Sequence, residues 1–395
     1  SISRCGRVRV GHARINFSEA DMHLAMIGLG KMGGNMVRRL RQNGIDVTGY
    51  DHAPQAVEQL VKEAGMQAAL SVADAVAKLP SPRIIWLMLP SGAPTESQLV
   101  ALAPMLSEGD IIIDGGNSNY KESQRRGAWL AEHGIGFMDA GTSGGIWGLE
   151  NGYCLMVGAT PEVAKTVQPI LEALAPKGVP GWAHVGPVGA GHFTKMIHNG
   201  IEYGMMQAFA EGLDLMRGKT EFDLDLAQIT ELWRHSSVVR SWLLDLTADA
   251  LKSDQKLDHI KPYVPDSGEG RWTVVESIEQ GIAAPVLTLA LQMRFASQDE
   301  QGYSYRLLSL MRNAFGGHAV AMVPGAQSSG EGQQVPVGTV DPGISSGKPT
   351  APTTSAAVPG EDVKTPDAPA GAVASSSKAA PKPVETQVIP PKDKS

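Results

Sequence analysis

The stretch His23-Leu-Ala-Met-Ile27-Gly28-Leu-Gly30-Lys31-Met32-Gly33 restricts the fold of this chain more than any other. Five mostly apolar residues make a short strand, the glycines follow at once, and Met32, Met36, Val37 and Leu40 then recur at helical spacing. Gly-x-Gly-x-x-Gly alone is weak evidence. Here a strand precedes it, a helix follows it, and a second strand, Val47-Thr48-Gly49-Tyr50, ends in Asp51 about 20 residues on, which is the context of a dinucleotide-binding βαβ unit. Gly28 would make the tight turn, Gly30 would admit the pyrophosphate to the backbone, and Gly33 would let helix pack on strand. Lys31 and Met32 open the helix, whose free amides and positive dipole end suit phosphate. Asp51 can accept bonds from both ribose hydroxyls and would repel a 2′-phosphate, and His52-Ala53-Pro54 offers no arginine to neutralise one. NAD is therefore favoured over NADP. The plainer alternative is that Asp51 caps the helix beginning at Pro54.

The alternation continues. Helices are expected over Pro54–Ala64, Val72–Lys78, Thr95–Leu106, Lys121–His133 and Pro161–Leu174, and strands over Arg83–Leu89, Asp110–Asp114, Ile135–Asp139, Tyr153–Val157 and Trp182–Val185. This rhythm predicts an α/β, doubly wound, mainly parallel Rossmann-type domain over residues 22–186. Ligands of such sheets sit at the carboxyl ends of the strands. Three polar, small-residue clusters fall there: Pro90-Ser91-Gly92, Asp114-Gly-Gly-Asn117-Ser118 and Asp139-Ala-Gly-Thr-Ser143-Gly144-Gly145. Each alone reads as a turn; three at one edge point to a pocket for a polyhydroxylated molecule.

After Gly189 the apolar spacing becomes helical, predicting an all-α domain over 187–323 with helices near 225–234, 241–251, 273–280, 285–296 and 303–313. Its first helix carries Lys195, Asn199 and Glu202 at i, i+4 and i+7, with His198 and His192 on the flanks of that stripe. Phe193, Met196, Ile197 and Ile201 supply the apolar side. A stripe of this kind could be solvated surface with a Glu–Lys pair. Gly189, Gly191, Gly200 and Gly204 argue otherwise, because glycines are costly in a helix unless something must come close.

Composition narrows the function classes. A formal net charge of -7 over 395 residues speaks against nucleic acid. Two cysteines, Cys5 and Cys154, form neither a disulfide framework nor a metal-like cluster, so a reducing, cytoplasmic setting is expected. No apolar run approaches the ~20 residues of a membrane span. Residues 1–21, with Arg4, Arg7, Arg9 and Arg14, read as an extension ahead of a translation start at Met22, or as an Arg-rich transit peptide. Residues 324–395 are rich in Pro, Ala, Ser, Thr, Val and Lys with no aromatic after Phe315, a composition that predicts a disordered tail.

Taken together, Gly28–Gly33, Asp114–Ser118, Ser143-Gly144-Gly145, Gly189–Tyr203, Arg271-Trp272-Thr273 and Arg312…Phe315-Gly-Gly-His318 resemble the decarboxylating 6-phosphogluconate dehydrogenase family in its shorter bacterial form, from about Met22 to Val320. The resemblance implies oxidation of 6-phosphogluconate at C3, loss of CO2 and release of ribulose 5-phosphate, without a metal. It implies Lys195 as general base and later acid, and Glu202 as the acid that protonates C1. Asn117, Ser143, Gly144, Gly145, His198 and Asn199 would hold the sugar acid, with Asn117 also near the cofactor. Tyr203, Arg294, Arg312 and His318 would hold the phosphate, the last two reaching in from a neighbouring subunit of a homodimer or homotetramer.

One departure stands out. Longer relatives carry lysine and threonine before the tryptophan, where this chain has Ser267 and Glu269. A carboxylate beside a phosphate is repulsive, so Glu269 is expected to point away. Two other functions compete. A β-hydroxyacid dehydrogenase of the hydroxyisobutyrate type shares the glycine motifs and the lysine but ordinarily has Asn-Asn where His198-Asn199 stands. An NAD-binding regulatory protein without catalysis would not need an intact Lys195, Asn199 and Glu202.

Overall fold

Strand β1 (His23–Ile27) sends Leu24 and Met26 into one buried layer and Ala25 and Ile27 into another. In β5 (Ile111–Asp114), Ile111 and Ile113 oppose Ile112 in the same way. Strands that are apolar on both faces belong inside a parallel sheet covered by helices on each side. The computed structural model describes residues 22–316 and 320–323, and has that arrangement. The expectations for 1–21 and 324–395 fall outside the described residues.

The remaining strands are β2 (Asp46–Tyr50), β3 (Gln67–Ala68), β4 (Ile84–Leu87), β6 (Gly136–Ser143), β7 (Cys154–Gly158) and β8 (Trp182–Gly186). They line up in the order β3-β2-β1-β4-β5-β6-β7-β8, with every neighbouring pair parallel except β6 and β7. Helices α1 (Lys31–Gln42), α2 (Pro54–Ala64), α3 (Val72–Ala77), α4 (Ala93–Leu102), α5 (Tyr120–Ala131), α6 (Gly148–Asn151) and α7 (Pro161–Leu174) connect them. α1 and α7 contribute Met36, Val37, Leu40, Val167 and Ile170 to one buried layer, while Leu99, Leu102 and Leu130 of α4 and α5 enter the other. The strand order reverses beside β1, and the crevice between the ends of β1 and β4 is where such sheets bind nucleotides.

Two departures from the sequence reading bear on the site. The two-residue β3 is too short to show a period. More important, β6 does not stop at Asp139 but runs on to Ser143, because Ala140 to Ser143 pair antiparallel with Cys154 to Val157. What read as a loop is thus largely strand, and its rigidity passes to the Ser143-Gly144-Gly145 turn.

The chain then enters α8 (Ala190–Gly218), which packs on β6, β7 and β8. α9 (Leu226–Trp233), α10 (Trp242–Ser253), α11 (Glu269–Gln280) and α12 (Pro285–Gln298) follow, with α11 and α12 against α8. The described chain to Tyr303 belongs to one compact unit and Ser304 onward to a second, at whose start lies α13 (Tyr303–Gly316). No helix among the described residues is long and apolar enough to cross a membrane.

Candidate active site

At the β1 end, Gly28 has φ +95°, and its N–H donates to Tyr50 O at 2.9 Å. A Cβ there would meet the carbonyl of Met88, so only glycine lets β1 and β4 splay around this turn. Gly30 differs: a Cβ on it would meet nothing within 4 Å, and α1 begins there with no side-chain cap. An open cradle over uncapped amides fits a pyrophosphate. Asp51 accepts from Leu29 N at 2.6 Å and from Ala53 N at 2.8 Å, so it holds the glycine turn and the start of α2 together while each oxygen keeps a free lone pair. Gly30→Ala is expected to leave thermal stability unchanged and to raise the Michaelis constant for the dinucleotide by about tenfold or more, since one methyl would stand between phosphate and amide. Paired melting and kinetic measurements check this, and an unchanged constant would remove Gly30 from the cofactor site.

At the other end of the crevice, Asn117 has φ +52° and its side chain is pinned to β6, donating to Thr142 O at 3.2 Å and accepting from Thr142 N at 3.0 Å. Buried Asp114 sets this loop. It accepts from Gly116 N at 3.0 Å, Ser118 Oγ at 2.7 Å and Arg126 Nη1 at 3.3 Å. The Asn117 amide keeps one N–H for a ligand.

α8 supplies the reactive groups. Asp139 is buried and accepts from Gly189 N at 2.6 Å and His192 N at 2.7 Å, which fixes the first turn against β6. One turn on, Lys195 is 5% exposed, and its Nζ donates to Asn199 Oδ1 and lies 3.5 Å from His198 Nδ1. His198 Nδ1 is 3.1 Å from Asn199 Oδ1 and 3.9 Å from Glu202 Oε2, with both His198 and Glu202 about two-fifths exposed, at 41% and 39%. Burial lowers the Lys195 pKa from the ordinary lysine value, opposed by the negative charges of Glu202 and Glu269. A lysine so placed can act as a base nearer neutrality than a free one.

A cavity of about 1020 Å³ brings these groups together, lined by Met32, Asn117, Ser143, Gly144 and Gly145, by Lys195, His198, Asn199 and Glu202 of α8, and by Trp242, Leu243 and Leu246 of α10. The last three were not anticipated, although Trp242, 48% exposed on the α10 that Ser241 caps, is the kind of surface aromatic that marks a site.

Other expected members sit elsewhere. His192 leaves the polar stripe: it is buried, and its Nδ1 lies 2.7 Å from Ser123 Oγ of α5. Tyr203 is buried against Ala290 and Leu291, its hydroxyl 3.1 Å from Ser267 Oγ. Arg294 lies over the Tyr203 ring at 3.4 Å and donates to Pro265 O at 2.9 Å. These two form a cluster beside Ser267 but do not line the cavity. Arg271 donates from both Nε and Nη2 to a single oxygen, Oδ2, of Asp266. Arg312 is exposed on α13 in the second unit, and His318 lies outside the described residues. Glu269 is buried at the start of α11, and its charge acts on Lys195.

Comparison with known proteins adds to this. Residues 23–186 match the NAD binding domain of 6-phosphogluconate dehydrogenase and 191–309 match the 6-phosphogluconate dehydrogenase C-terminal domain. An NAD(+)-dependent, decarboxylating 6-phosphogluconate dehydrogenase of Haloferax volcanii is 38% identical over 301 residues, covering 76% of this chain and 99% of the relative. Among solved structures, Plasmodium falciparum 6-phosphogluconate dehydrogenase, studied with NADP+ and with 6-phosphogluconate, aligns with a TM-score of 0.66 at 28% identity, over 77% of this chain and 67% of that one. A 3-hydroxyisobutyrate dehydrogenase from Salmonella typhimurium aligns with a TM-score of 0.60 at 20% identity, over 71% and 95%, a likeness of fold.

Proposed function

The chain belongs to the 6-phosphogluconate dehydrogenase family, and from that premise we propose that it oxidises and decarboxylates 6-phosphogluconate to ribulose 5-phosphate and CO2 with NAD as electron acceptor. The observation that carries the reading is Lys195, buried at a cavity wall, hydrogen-bonded to Asn199, with Glu202 two turns along the same helix and the Asn117 and Ser143–Gly145 loops facing it.

Gly28, Gly30, Lys31, Met32, Gly33 and Asp51 would hold the dinucleotide, and the bound nicotinamide supplies the hydride acceptor. Lys195, with its ammonium form disfavoured by burial, takes the proton of the C3 hydroxyl. The resulting β-keto acid loses CO2 once its carbonyl is polarised, and Lys195, now protonated, donates the polarising hydrogen bond. Asn199 and His198 keep the amine aimed at C3. Glu202, half-exposed at the cavity, delivers a proton to C1 of the enediol and reloads from solvent. Asn117, Ser143, Gly144 and Gly145 present amide donors to the sugar acid, and Tyr203, Arg294, Arg312 and His318 hold its phosphate. In this reading Arg312 and His318 come from the neighbouring subunit of a homo-oligomer, and the working division is a nucleotide domain over 22–186 and a helical domain over 187–323.

Incubation with 6-phosphogluconate and NAD, following NADH and CO2 together, tests the reading. Both should form in equal amounts. NADH without CO2 would favour the β-hydroxyacid dehydrogenase, neither would favour a nucleotide-binding regulator, and a clear preference for NADP would overturn the role given to Asp51.

A further inference from the structure

Glu269 opens α11, and no step above uses it. It is 5% exposed, and its Oε2 is buried with no hydrogen-bond partner. A carboxylate so placed is costly to bury, so something must fix it there. The backbone does. The Thr273 hydroxyl lies 2.9 Å from both Glu269 O and Met196 O, tying the first turn of α11 to the residue after Lys195. Gly270 sits flat on the Tyr203 ring, where a Cβ would collide. The carboxyl group is therefore held against α8 by the seating of the first turn of α11, which the Thr273 hydroxyl and the Tyr203 ring fix.

Lys195 is the residue before Met196, whose carbonyl takes the Thr273 bond, and the two charges act on one another. The amine donates to Asn199 and makes no ion pair with Glu269, whose Oε2 has no partner, so the carboxylate acts on it through space. We propose that Glu269 is a positioning residue for Lys195, its buried carboxylate supplying the counter-charge that decides when the amine gives up its proton. The inference rests on Lys195 being the base. Burial raises Glu269 to about 7, with the Lys195 charge pulling it down, so the carboxyl changes charge in the range where the base must work. Ionised, it holds the proton on Lys195; neutral, it lets the amine lose it.

Other titratable groups lie around Lys195 as well. Glu202 and His198 lie on α8 itself, and Cys154 on β7. Asp139 of β6 is engaged with Gly189 and His192, Tyr120 of α5 bonds to Glu276, and Arg294 of α12 is stacked on Tyr203.

The test is a titration of the full chain with 13C at the lysine ε-carbons, without substrate, the Lys195 signal being the one absent in Lys195→Met. Glu269→Gln keeps the shape and removes the charge. The Lys195 midpoint should fall by about 1 unit or more. The acid limb of kcat/KM, which rises with pH as the base deprotonates, should move down by the same amount, and Glu269→Asp should return both. An unmoved midpoint overturns the proposal. A moved midpoint with a fixed limb leaves the coupling standing and removes Lys195 as the base. If Glu269→Gln does not fold, Lys195→Met with 13C-labelled glutamate side chains asks the same question in reverse. The Glu269 midpoint should rise by about 1 unit, and no rise overturns the proposal.

Discussion

Lys195→Met is expected to lower kcat by about 10³ to 10⁴-fold while leaving NAD affinity within about twofold. Methionine keeps an unbranched stem of similar length, so the packing of α8 on β6 survives, but it has no group to take the C3 hydroxyl proton or to polarise the keto intermediate. The groups expected to hold the dinucleotide are on the β1 turn and Asp51, and none of them bonds to Lys195. Lys195→Arg should be as inactive, because a guanidinium stays protonated where a base must be neutral. Steady-state NADH formation and an NAD titration followed by fluorescence quenching measure the two quantities. Activity within tenfold of the unaltered protein in either variant would remove Lys195 from proton transfer.

The nucleotide half of this site was readable because its signals are backbone requirements. Gly28 needs a positive φ, Gly30 needs open space, and Asp51 must follow β2, and each requirement leaves its residue type at a fixed spacing. The Lys195, Asn199 and Glu202 stripe was readable for the same reason, since helical period alone puts the three together. What escaped depends on contacts between distant segments. His192 has the right period for the stripe, but Ser123 of α5 draws it into the interior. The extension of β6 was hidden by Gly141, which reads as a turn and is in fact a strand residue lying against Lys195 and Gly191. Glu269 carried a legible misfit with the phosphate, yet its engagement with Lys195 depends on how α11 docks, which no local pattern encodes.

The docking of α8 on the sheet makes Gly191→Ala a damaging small substitution at the site. Its Cβ would meet Asp139 O, Met156 O and Gly158 N, three main-chain atoms of β6 and β7 that cannot swing aside as a side chain would. α8 must lift instead. Lifting stretches the bonds from Gly189 N and His192 N to the buried Asp139 carboxylate, each a charge-assisted bond of about 1.5–3 kcal/mol at full strength. A loss of about 3 kcal/mol of stability is expected, the upper range for overpacking. Lys195 lies one turn further along the lifted helix, and a displacement of about 1 Å there lowers kcat by about 10²-fold. NAD binding should be nearly unchanged, because the β1 turn does not rest on α8. Denaturant unfolding, kcat and NAD affinity separate these effects. A variant with unaltered stability and kcat would show that the approach of α8 to β6 is not what holds the base in place.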